Sequence, residues 1–222
     1  MVKFFIPITV FAGTLALLCS TISYANADLS KNTLGNFNQS PNYQKNFYDL
    51  TGDGQLERFE LQKGILKVNH GNITLWQSPK SWHIDSFAIA DATHDGKHNL
   101  VLSLWKSGNF GPSKPFWEDT NDPSIKNHLF IYEFQDDNLH QVWGSSNLSQ
   151  PNCEFTFNDI DHDNKQELIV IEGLYTDNYQ CQGQFLAVWK WEEWGFFNEW
   201  RSKPGDYQDI NSLLPAIKEQ YN

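Results

Sequence analysis

Three nine-residue segments of this chain are built alike: Asp49-Leu-Thr-Gly-Asp-Gly-Gln-Leu-Glu57, Asp91-Ala-Thr-His-Asp-Gly-Lys-His-Asn99 and Asp159-Ile-Asp-His-Asp-Asn-Lys-Gln-Glu167. Each has Asp at positions one and five, Thr or Asp at three, Gly or Asn at six, and Glu or Asn at nine. A second marker follows each, Trp-x-Ser, as Trp76-Gln77-Ser78, Trp143-Gly144-Ser145 and Trp200-Arg201-Ser202. Trp76 precedes Asp91 by 15 positions and Trp143 precedes Asp159 by 16. Two independent markers in step to within one residue define a repeat, and a repeated chain folds as copies of one supersecondary unit stacked on each other.

Between the markers the texture is β. Phe87-Ala-Ile-Ala90 and Phe155-Thr-Phe157 run into the second and third Asp loops, and Leu100–Trp105 and Leu168–Ile171 leave them as short apolar runs. Hairpins are expected at Ile65–Val68 with Ile73–Trp76, at Leu129–Phe134 with Leu139–Trp143, and at Phe185–Trp191 with Gly195–Trp200. Each unit therefore reads as four strands. The distance from loop to Trp varies, at 27, 52 and 41 residues. The excess in unit two is mainly Lys106–Asn127, with Phe110, Phe116 and Trp117; that in unit three includes Gly173–Gly183, with Tyr175 and Tyr179. Insertions in repeat arrays map to loops and often to a binding face, so these five aromatics are the candidate ligand-binding residues. The competing reading is that long loops need their own hydrophobic cluster to stay ordered. Residues 206–221 carry the period of a short amphipathic helix that closes the domain.

The N-terminus suggests a compartment. Lys3 is the only charge before Asp28, an apolar run spans Phe4–Leu18, and Ala25-Asn26-Ala27 follows. This pattern predicts a signal peptide over residues 1–27, with one domain over 28–222. The run is shorter than a bilayer span, and Leu18 before Cys19 does not suit a lipoprotein signal. The expected location is periplasmic or extracellular, with no membrane insertion after cleavage. There, Cys153 and Cys181 most simply form a disulfide, the alternative being two buried thiols. A net charge of −11 argues against nucleic acid and anionic membranes as partners, since both are bound mainly through Lys and Arg.

At the Asp loops the sequence resembles the FG-GAP or VCBS repeat class, whose units form β-propeller blades such as those of the integrin α-subunit head. The shared signature is Asp-x-Asp-x-Asp-Gly-x-x-Asp/Glu-Leu. Unit three matches it best, with Asn164 for the Gly; unit two has Thr93 and Asn99, and unit one has Arg58 in place of the Leu. The resemblance implies an all-β, propeller-like array of about three four-stranded repeats. A closed propeller typically has four or more blades. The three counted here leave open an array capped by the C-terminal helix, a fourth blade not visible in the sequence, or closure by oligomerisation.

A hard cation such as Ca²⁺ takes six to eight oxygens, and each loop offers side chains at one, three, five and nine plus the carbonyl at seven. The candidate ligands are Asp49, Thr51, Asp53, Gln55 and Glu57; Asp91, Thr93, Asp95, Lys97 and Asn99; and Asp159, Asp161, Asp163, Lys165 and Glu167. Four carboxylates rank the third loop strongest, and two rank the second weakest. The metal-free alternative is a turn capped by its own side chains. Unit one also fits an EF-hand loop with Glu60 at position twelve, if helices flank it. His94, His98 and His162 read as solvated loop residues. No nucleophile elbow, phosphate loop or dinucleotide fingerprint is present. The expectation is an exported, non-catalytic binding or adhesion-type protein, structurally stabilised by Ca²⁺, whose ligand is an extracellular protein or glycan. A polymer-degrading hydrolase and a structural envelope accessory protein are the alternatives.

Overall fold

A computed structural model of the chain describes residues 43–111, 116, 122–177 and 179–221. The expected signal peptide and Trp117 lie outside the described residues. Twelve strands precede one helix: β1 (Tyr43–Tyr48), β2 (Glu57–Gln62), β3 (Ile65–His70), β4 (Ile73–Gln77), β5 (His83–Ala90), β6 (Asn99–Ser107), β7 (Ile125–Gln135), β8 (Asn138–Gly144), β9 (Asn152–Asn158), β10 (Glu167–Tyr175), β11 (Cys181–Glu192), β12 (Gly195–Arg201) and α1 (Ile210–Tyr221). They form three four-stranded antiparallel meanders, β1-β2-β3-β4, β5-β6-β7-β8 and β9-β10-β11-β12. Each expected repeat is therefore one sheet. Strands flank the first Asp loop on both sides, which removes the EF-hand alternative; Glu60 lies on β2 beside Arg58 and Lys45.

The sheets pack face to face because side chains alternate along a strand. On β6, Leu100, Leu102 and Leu104 join Phe59, Leu61, Leu66 and Val68 of sheet one. Val101 points the other way, with Leu129 and Ile131, onto Phe155, Phe157, Leu168 and Val170 of sheet three. On β10 the intervening Ile169 and Ile171 meet Ile210 and Ile217 of the helix. Burial on both faces explains why the exit strands of units two and three read as unbroken apolar runs. The helix thus covers the last sheet face, as expected, although it begins at Ile210 rather than at residue 206. Among the described residues three sheets are present and no closed ring. The opposite face of sheet one carries Lys45, Arg58, Glu60, Gln62 and Lys67, and the strand burial pattern alternates accordingly.

Trp-x-Ser has one structural meaning in all three units. Each Trp packs against its own core cluster: Trp76 on the first, Trp143 on the second and Trp200 on the third. Each Ser then clasps the third strand of its sheet. The Ser78, Ser145 and Ser202 amides donate to the carbonyls of Leu66, Leu129 and Leu186 at 2.9, 2.9 and 2.8 Å. Their hydroxyls accept from the amides of the same three leucines at 3.1, 3.0 and 3.0 Å. The clasp ends the fourth strand and satisfies a backbone amide that no further strand reaches. Cys153 and Cys181 are disulfide-bonded, with Cα atoms 5.5 Å apart, and this joins the first and third strands of sheet three across β10.

The clasp predicts a stability loss. Ser78→Ala leaves the Leu66 amide, in a residue with no exposed surface, without its acceptor. It should cost about 1–3 kcal/mol, measured as a lower denaturant midpoint with an unchanged m-value. A midpoint like that of the wild type would remove the clasp from the stability account.

Candidate functional site

The three Asp loops join the first and second strands of their sheets and share one hydrogen-bond pattern. The position-one carboxylate accepts from the position-six amide: Gly54 to Asp49 at 2.9 Å, Gly96 to Asp91 at 3.0 Å and Asn164 to Asp159 at 3.1 Å. The position-five carboxylate accepts from position seven: Gln55 to Asp53, Lys97 to Asp95 and Lys165 to Asp163, at 2.8–3.0 Å. Position nine accepts from position two: Leu50 to Glu57 at 2.7 Å, Ala92 to Asn99 at 3.1 Å and Ile160 to Glu167 at 3.0 Å. Position six is left-handed in each loop, as its Gly or Asn suggests. Position four is left-handed too, at Gly52, His94 and His162. The sequence reading missed this because two of those residues are histidines.

Position nine is buried in every unit, with Glu57 and Asn99 at 0 % exposure and Glu167 at 1 %. What separates the loops is how fully their oxygens are used. In loop one both Asp49 oxygens accept backbone amides, and Glu57 accepts from Leu50, Thr51, the Thr51 hydroxyl and His70. In loop two both Asp91 oxygens and the Asn99 oxygen are likewise engaged. Loop three differs. Asp159 Oδ1 and Glu167 Oε1 are buried and receive no hydrogen bond from any described residue. Burial raises the Glu167 pKa, opposed by the Ile160 amide.

Two clusters among the described residues could hold a metal ion: Asp53, Glu57 and His70, and Asp159, Asp161 and Glu167, with ligand atoms within 4.8 Å of one another in each. Thr51 donates its hydroxyl to Glu57 at 3.1 Å, while the Thr93 hydroxyl is buried without a hydrogen bond to any described residue. Gln55 and Lys165 are exposed, and Lys97 pairs with Glu133.

One further residue per loop was not foreseen. One step past the pairs Arg58 with Asn69, Leu100 with Tyr132 and Leu168 with Trp189, the third strand places His70, Glu133 and Lys190 across from position nine. His70 Nδ1 lies 2.9 Å from Glu57, whose hydrogen bond is the main cause of a raised histidine pKa. Lys190 Nζ donates to Asp161 at 2.7 Å and lies 3.2 Å from Glu199. Its hydrogen bond holds Asp161 below the usual carboxylate range. The loop histidines also depart from expectation. His94 Nε2 lies 3.0 Å from the Gln166 carbonyl of the next unit, and the His98 ring lies 5.1 Å from that of Tyr48 in the previous one. They are contacts between units rather than merely solvated residues.

The insertions emerge at the opposite end of the sheets. Tyr175 and Tyr179 do come together there, packed on unit two: Tyr179 stacks on His83 at 4.5 Å, and Trp105 meets the edges of both tyrosines. Tyr175 also donates its hydroxyl to Leu148 at 2.6 Å and carries Lys126 over its ring. Phe110 is half-buried, and Phe116 is 92 % exposed. Beside the stack, Asp85 accepts from the Trp105 indole and lies 3.8 Å from His83. Burial pushes the Asp85 carboxyl up to about 6, against the opposing pull of that hydrogen bond, and desolvation lowers His83. Compared with protein-family models, with curated proteins and with solved structures, the chain gives no match in any of the three.

Asp85 makes stability pH-dependent. Its unfolded value is near 3.8 and its folded value about 6, so the folded state binds more protons between them. Stability falls as pH rises through that window and stays lower above it. Asp85→Asn should therefore gain about 3 kcal/mol at pH 7.5 and little at pH 4, measured by chemical unfolding at both. An equal effect at the two pH values would contradict the burial argument.

Proposed function

We propose that the protein is an exported, non-catalytic binding module of the FG-GAP/VCBS repeat kind, held rigid at its Asp-loop end by Ca²⁺ in the third loop. Its ligand, an extracellular protein or glycan, is engaged at the insertion-loop end. The observation that carries the metal assignment is the pair of buried carboxylate oxygens, Asp159 Oδ1 and Glu167 Oε1, that no described donor reaches. Leaving a buried anionic oxygen uncompensated is costly, and a hard cation bound by Asp159, Asp161 and Glu167 would compensate both with the ligand chemistry Ca²⁺ prefers. In loops one and two the position-one and position-nine oxygens are taken by backbone amides, Thr51 and His70, and both are read as metal-free turns. Three sheets capped by a helix are read here as a propeller-like array. The disulfide suits an oxidising compartment.

At the ligand end the support is the exposed ring of Phe116 and the 42 % exposed Tyr179, since aromatic faces stack on sugars and anchor protein partners. One observation favours a hydrolase instead: a carboxylic acid with a pKa of about 6, Asp85, stands beside the stack of His83 and Tyr179 and would suit a proton donor.

Thermal melts with millimolar Ca²⁺ and with EDTA test the metal. At 100 times the dissociation constant the gain is about 2.7 kcal/mol, a rise of roughly 5–10 °C for a domain this size. Glu167→Gln should abolish the shift and Asp95→Asn should preserve it. Coincident melts of the wild type would overturn the calcium assignment. For the ligand, a glycan array and a panel of extracellular matrix proteins should show binding that Phe116→Ala weakens at least about tenfold. Turnover of a polysaccharide, lost in Asp85→Asn, would replace this reading with the hydrolase.

A further inference from the structure

We infer that Lys190 is a built-in competitor for the third loop's cation, which Ca²⁺ must drive off Asp161 before it can bind. The inference rests on the calcium reading of that loop. Lys190 comes from β11, directly across the sheet from Glu167, and its ammonium reaches into the acidic cluster from outside. It touches Asp161 Oδ2 at 2.7 Å but neither Asp159 Oδ1 nor Glu167 Oε1, which have no hydrogen-bond partner among the described residues. The ammonium therefore serves one corner of the cluster and leaves its interior to a smaller, more highly charged ion.

Asp161 is needed by both cations. Its Oδ1 accepts the Asp163 amide at 3.2 Å and its Oδ2 is held by Lys190, so a metal bound by this carboxylate must share it with the ammonium. A divalent ion there and an ammonium within about 4 Å repel strongly. Glu199 on β12, 3.2 Å from Lys190 Nζ, gives the ammonium a second place to go. The side chain needs only to rotate outward from Asp161 while keeping Glu199. Lys190 is thus a gate that closes the loop when Ca²⁺ is scarce and sets the concentration at which it opens.

The other two units show the same strand position used differently. In unit one it holds His70, hydrogen-bonded to Glu57 at 2.9 Å. In unit two it holds Glu133, which pairs with Lys97 from the loop itself. Only in the third unit does this position place an ammonium on a loop carboxylate, beside two buried carboxylate oxygens that no described residue reaches.

Calcium titration calorimetry on the purified wild type, Lys190→Met, Lys190→Arg and Glu199→Gln tests the gate. Lys190→Met should bind Ca²⁺ at least about tenfold more tightly, with an on-site affinity no longer tied to Glu199. Lys190→Arg, which keeps the charge, should stay within about threefold of wild type. Glu199→Gln removes the outward partner and should weaken binding several-fold. Wild-type affinity in Lys190→Met overturns the gate and leaves the calcium reading standing. No binding heat in either protein overturns both. If Lys190→Met does not fold, Glu199→Gln decides, and an unchanged affinity there overturns the gate.

Discussion

The turn from first to second strand in each unit depends on side chains folded back onto their own backbone. An abrupt reversal with two left-handed residues leaves several amides with no strand partner, and buried amides must be satisfied. The carboxylates at one and five and the acid or amide at nine satisfy them, in the same pattern three times over. Because position nine reaches back to the amide of position two, it also aims the position-two side chain inward. Leu50 packs against the first core cluster, Ala92 belongs to the second and Ile160 to the third. The loop therefore fixes the entry of every sheet into the stack.

From there the architecture follows from burial. A middle sheet must be apolar on both faces, and β6 and β7 supply Leu100, Leu102 and Phe130 to one side and Val101, Leu129 and Ile131 to the other. The stack ends where one face can stay polar, as on sheet one, or where a different element covers it, as α1 does on sheet three. The Ser clasps close the outer strands of all three units with the same pair of hydrogen bonds.

Much of this was legible because its determinants are local. The nine-residue loops, the hairpins and the closing helix are written in consecutive residues, and the Trp-x-Ser marker announced the repeat before its clasp was known. What escaped the sequence depends on register or on contacts between units. His70, Glu133 and Lys190 occupy equivalent positions, yet as three unrelated residue types they show no pattern until strand pairing aligns them. His94 and His98 looked solvated because their partners, Gln166 and Tyr48, lie far away in sequence. Tyr175 and Tyr179, candidates for a ligand, also meet Trp105 and His83, so part of their surface holds unit three against unit two, a contact that lies far away in sequence. Carboxylate count ranks the third loop first, but what sets that loop apart in the structure, two buried carboxylate oxygens that no described residue reaches, is not contained in composition. Loop three has oxygens to spare because Asp159 caps fewer amides than Asp49 or Asp91.

On this reading a cation completes one loop of the three. Anomalous scattering from crystals grown with Ca²⁺ tests it most directly. A single strong peak enclosed by Asp159, Asp161 and Glu167 is expected, with none in the second loop. A third loop without a peak at saturating Ca²⁺ would contradict it.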